Sequence, residues 1–232
     1  LIEVESSGCY YLNTKNGIYL HEAVIDISIE KENIKKICKK IKNKIYEVND
    51  FNELKSVLES SFNEYKVTFL FSDSNENDFI KAGGFNVSEM RIFIFFHPSL
   101  EKTIDEKNEE DYELFCNQLT TILGHEIIHR FQALKIEYEE LRKKIFKKSK
   151  TEAKKYLSNK HEVMAYAWQI INSFKIYGLD YKEIRHILSL GDSSTKFILG
   201  GQIFSDYHDL FSMKDDTLKL LYKYMYLYLS EK

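Results

Sequence analysis

The sequence predicts an α+β fold, with a small N-terminal sheet and helices followed by a mostly helical C-terminal half. Three observations carry this. Strand-length runs rich in Tyr, Phe, Ile and Val are confined to the first hundred residues. Beyond them, apolar residues recur at intervals of three and four. The 232 residues include one Pro and nine Gly, which favours long helices over a turn-rich sandwich. The two parts are residues 1–104 and 105–232, read together as one compact unit.

Taken in order, Tyr10 to Leu12 and Ile18 to Leu20 flank Lys15-Asn16-Gly17, and Asn-Gly between apolar runs signals a hairpin. Partial alternation from Ala23 to Ile29 suggests a further strand. Ile34, Ile37, Cys38, Ile41 and Ile45 then recur at helical spacing, which predicts an amphipathic helix over Lys31 to Tyr46. A second helix is expected over Phe51 to Phe62, capped by Asn49 or Asp50. Strands are expected at Tyr65 to Phe71 and Arg91 to Phe96, with a loop around Gly83-Gly84 between them. Helices follow at Glu109–Leu134, Glu137–Leu157, Lys160–Phe174, Tyr181–Leu190 and Asp215–Leu229.

Composition excludes several classes. At 44% hydrophobic and 30% charged residues, the chain can build a core. A net charge of −3 gives no bulk attraction to nucleic acid. No apolar run reaches the roughly 18 residues of a membrane span. Cys9, Cys38 and Cys116 are widely spaced and form no CxxC, so a disulfide framework or thiolate zinc site is not expected. With no signal pattern at the N-terminus, the expected location is cytoplasmic. Arg142, Lys143, Lys144, Lys147, Lys148, Lys150, Lys154 and Lys155 read as a solvated helix face, and Leu218, Leu221, Tyr222, Met225 and Leu229 as a core stripe.

The chemistry concentrates in Gly124-His125-Glu126-Ile127-Ile128-His129, an H-E-x-x-H motif. On a helix the two histidines lie about 40° apart around the axis and about 6 Å along it, so both imidazoles can converge on one ion. Glu126, about 100° further round, can reach a water on that ion without ligating it. Phe115, Leu119, Leu123, Ile127 and Phe131 form an apolar stripe. Gln118, Ile122, His125, His129 and Gln132 form the stripe beside it. A catalytic zinc needs a third protein ligand. The extended motif with Gly at position 132 and His at position 135 is absent, because the chain has Gln132 and Lys135. The best candidate is Glu162, opening a helix with Val163, Ala165, Tyr166 and Ala167. His161 and the more distant Asp180 are its rivals.

His125, Glu126 and His129, with Glu162 in a following helix, resemble the gluzincin branch of the zincin metallopeptidases and its small bacterial and phage members. The likeness covers Leu119 to Gln169. It implies a zincin-like fold and Zn2+ as cofactor. The ligands would be His125, His129 and Glu162, with Glu126 as general base acting on a metal-activated water. The implied function is hydrolysis of peptide bonds in a peptide or protein substrate, with no nucleic-acid partner. The alternative is a catalytically silent zinc-binding structural or regulatory protein. Tyr166 stands where thermolysin-like members carry an Asp, which leaves the partner that orients a histidine open. Tyr166, Tyr207, His208 and His186 are candidates to steady the oxyanion, with Tyr166 and His208 preferred. The likeness also makes strand 91–96 a candidate edge for pairing with substrate, with His97 at its end.

Overall fold

The computed structural model describes residues 2–4, 10–14, 17–21, 25–48, 50–71, 80–96, 109–135, 150–190 and 201–230. Within them the chain is α+β and mostly helical. Strands β1 (Ile2–Val4), β2 (Tyr10–Thr14) and β3 (Gly17–His21) form one antiparallel sheet, and Thr14 pairs with Gly17 across the predicted hairpin. Of the strand expected over residues 23–29, the described residues 25–29 form none. Residues 25–27 are irregular and Ser28 already begins helix α1 (Ser28–Glu47), because Ile34, Cys38, Ile41 and Ile45 bury as one helical face. Helix α2 (Phe51–Ser61) starts at Asp50, whose Oδ1 accepts from the backbone N–H groups of Asn52 and Glu53.

The second sheet contains β4 (Val67–Phe71), β5 (Ile80–Asn86) and β6 (Arg91–Phe96) in the order β4-β6-β5. β6 runs parallel to β4 and antiparallel to β5. Two expectations are corrected here. The Gly83-Gly84 segment is strand rather than loop. Strand 91–96 is the centre of its sheet, paired on both sides, so it offers no edge to a substrate; among the described residues the free edge nearest the motif helix belongs to β5.

Helix α3 (Glu109–Lys135) packs on β5 and β6 and against α1. Phe115, Leu119, Leu123 and Ile127 are buried, as their stripe predicts, and Phe131 at its end is half-buried against the core. An aromatic chain ties α2, the sheet and α3 together. Phe62 meets Phe69, Phe69 stacks on Phe96 at 5.1 Å, and Phe96 meets Phe115 edge-on at 5.8 Å. Four more helices complete the C-terminal half with a central fifth. They are α4 (Lys150–Leu157), α5 (Lys160–Ile176), α6 (Tyr181–Leu190), α7 (Gly201–Leu210) and α8 (Asp216–Ser230). Of the helix expected at 137–157, the described part begins at Lys150. α7 was not anticipated. α5 is the central helix, flanked by α3 and α8, and its residues from Glu162 to Phe174 are buried apart from half-buried Tyr166. Of the stripe expected on α8, Leu218, Leu221, Met225 and Leu229 are buried and Tyr222 is half-buried against the core. No helix among the described residues is long and apolar enough to cross a membrane.

Candidate metal site

The site is built from two antiparallel helices. Thr121 of α3 meets Asn172 of α5, whose Nδ2 donates to the threonine hydroxyl at 3.0 Å. Gly124 meets Trp168, and Gln132 meets the carbonyl of His161. Descending numbers on α5 thus face ascending numbers on α3. The same progression sets Tyr166 against His125 and Glu162 against His129. Gly124 allows this approach, since a Cβ there would come within 2.2 Å of the Trp168 ring. The Asn159 side chain caps the start of α5 by accepting from the His161 N–H, which places Glu162 in its first turn.

His125, His129 and Glu162 form the group that could hold a metal ion among the described residues. His125 Nε2 and His129 Nε2 are 3.0 Å apart, and Glu162 Oε2 lies 3.7 Å from the first and 3.4 Å from the second. Donors at the corners of a tetrahedral zinc site, with bonds of about 2.0–2.1 Å, lie about 3.4 Å from one another. The three atoms therefore span one face of such a tetrahedron. Glu162 Oε2 is buried and makes no hydrogen bond to the protein, as does His125 Nδ1. A buried carboxylate oxygen needs a compensating partner, and a shared cation at this point would supply it.

Without a metal, the same cluster favours a proton. Burial opposes the charged form of His129, but the Glu162 carboxylate outweighs it and pushes the pKa up to about 9. Burial likewise opposes ionised Glu162, yet the two imidazoles hold its pKa well below the usual carboxylate range. These opposite shifts are the two sides of one buried ion pair between His129 and Glu162.

Glu126 is buried and turned toward the sheet. A Cβ on Gly83 of β5 would lie 2.6 Å from Glu126 Oε1. The Tyr166 ring stands edge-on to His125 with centroids 4.5 Å apart, and its hydroxyl lies 3.4 Å from that of Tyr156. Burial and nearby Glu162 raise the Tyr166 pKa, so its hydroxyl stays protonated.

The other candidates are employed elsewhere. The His161 backbone serves both the Asn159 cap and Gln132, and its side chain is not in the three-donor group. Asp180 and Glu183 cap α6 reciprocally, each accepting from the other's N–H at 2.8 Å. His186 is exposed. Tyr207 is buried and donates to the Leu157 carbonyl at 3.0 Å. His208 Nε2 lies 2.9 Å from the Tyr222 hydroxyl, with its ring against Phe204; these contacts hold α7 to α8 and do not join it to the three donors. His97 lies outside the described residues.

Sequence reasoning missed two residues as participants. Gln132 Oε1 lies 2.8 Å from His129 Nδ1, and spacing of three on one helix face was the available signal. Tyr156 accepts a hydrogen bond from the Tyr166 hydroxyl, and burial, Tyr166 and Glu162 raise the Tyr156 pKa. No local pattern marks Tyr156, because it reaches the site from α4. No family model matches the chain, and neither does any curated protein or solved structure.

Proposed function

We propose that the protein is a zinc-dependent metallopeptidase, with His125, His129 and Glu162 as ligands and Glu126 as general base. The spacing of the three donor atoms carries this reading. When bound, zinc would polarise a peptide carbonyl and bring the pKa of water to about 7. The chain's own residues supply the rest. Glu126, beside the ligands and against β5, takes a proton from the attacking water and returns it to the leaving amine. Its burial in a low dielectric strengthens that interaction. Tyr166, protonated and packed on His125, would turn its hydroxyl from Tyr156 to donate to the developing oxyanion. The edge of β5 supports an extended peptide as an added strand.

Elemental analysis of the purified protein should give about one zinc per chain, lost in His125→Ala and Glu162→Ala. Glu126→Gln should keep the zinc and lose hydrolysis of a peptide library. A parent that takes up no supplied zinc, or a Glu126→Gln variant with full activity, overturns the reading. Burial favours a second reading, in which zinc only fastens α3 to α5. The side chains of His125, His129 and Glu162 are 6%, 9% and 11% exposed. Zinc without hydrolysis in the parent would select it.

A further inference from the structure

Resting on the zinc reading above, we propose that Gln132 is the positioning residue of the site, fixing the tautomer of His129 and anchoring the ligand-bearing end of α5. Gln132 is 2% exposed, so its carboxamide sits among protein groups rather than in bulk water. Its Nε2 lies 3.1 Å from the His161 carbonyl, which can only accept, and 3.7 Å from Met164 Sδ. The amide oxygen must then face His129 Nδ1, at 2.8 Å. Nδ1 therefore carries the hydrogen and donates it. In a neutral imidazole the lone pair is left on Nε2, the atom that faces His125 and Glu162.

One side chain thus acts on both helices. His161 immediately precedes Glu162, so the amide pins α5 one residue from the third ligand. Neither a carboxylate nor an ammonium could do both jobs. The first would set an oxygen against the His161 carbonyl, and the second would set a donor against the N–H of His129. The amide fills the role left open by Tyr166 at the position four residues after Glu162. Loss of the outer partner that holds a ligating histidine typically costs about 10–100-fold in metal affinity.

The test begins with the parent protein, zinc-loaded and labelled with 15N-histidine. Long-range 1H–15N spectra should show His129 with a protonated Nδ1 and a metal-bound Nε2, assigned through its own backbone correlations in a second, uniformly 13C,15N-labelled sample of the parent. Ligation through Nδ1 overturns the proposal, and that measurement needs no variant to fold. Zinc competition with a chromophoric chelator should then show Gln132→Met weakened about 10–100-fold. Gln132→Glu, which keeps an acceptor for His129 but loses the donor to His161, should recover part of that loss. Affinity unchanged in Gln132→Met, or Gln132→Glu no better than Gln132→Met, overturns it. A parent with no zinc at all defeats the metal reading itself, a result distinct from zinc bound equally well with and without Gln132.

Discussion

Gly83 of β5 lies so close to Glu126 of α3 that a methyl group there would meet Oε1 at 2.6 Å and Cγ at 2.8 Å. The same methyl would meet Ile122 Cγ2, one turn earlier on α3, at 2.8 Å. The absence of a side chain at Gly83 therefore sets where the proposed base stands. Gly83→Ala should lower peptide hydrolysis by about tenfold or more while zinc content stays at the parent level, since a shift of about 1 Å can cost a hundredfold in rate. Peptidase assays beside elemental analysis check this. Loss of zinc together with activity would point instead to collapse of α3.

Gly124→Ala should act on the metal rather than on the base. The new methyl would run into the buried Trp168 ring and press α5 away from α3, carrying Glu162 with it. Overpacking of this kind destabilises by about 1–3 kcal/mol. Thermal melts of the metal-free variant should show that loss, and zinc affinity should fall as well.

Removing only the hydroxyl of Tyr166 separates its two contacts. Tyr166→Phe keeps the ring on His125 and should leave zinc bound. If that hydroxyl steadies the oxyanion, kcat should fall by about 10²–10³-fold with little change in KM. An unchanged kcat would remove Tyr166 from the chemistry.

The proton held by the metal-free site gives it a pH signature. His129 is raised from 6.5 to about 9, so its stabilising contribution is complete below 6.5 and disappears as pH rises through about 9. Glu162 is shifted the other way, so its contribution is complete above 4.5 and fades as acid protonates it. These are two sides of one interaction. Chelator-treated protein should show a stability plateau between about 4.5 and 6.5. The alkaline decline should flatten in Glu162→Gln. Because zinc must displace that proton, its apparent affinity at neutral pH should rise about tenfold per pH unit, with about one proton released. Calorimetry in buffers of different ionisation enthalpy reads the proton directly.

Much of this was legible in the residues, and the exceptions share a cause. The stripe of Phe115, Leu119, Leu123 and Ile127 dictates a helix, and H-E-x-x-H on it dictates where two imidazoles go. Both are local patterns. Glu162 stood out by type and distance, but its burial did not, because α5 is covered on nearly every side by helices remote in sequence. β5 reads as a loop since Gly83 and Gly84 lack strand propensity; tertiary approach to Glu126 overrides that preference. Which strand lies at the edge depends on pairing order, which no single strand's sequence contains.

The facing pairs Thr121–Asn172, Gly124–Trp168 and Gln132–His161 mean that the site is stored as a phase relation between two helices. Its information lies in how α5 is rotated against α3, and only secondarily in ligand identity. One residue inserted into α5 after Ala165, with Trp168 and Phe174 still locked in the core, would turn Glu162 about 100° and slide it about 1.5 Å. All three ligands would survive in the sequence, yet the carboxylate would no longer face the imidazoles.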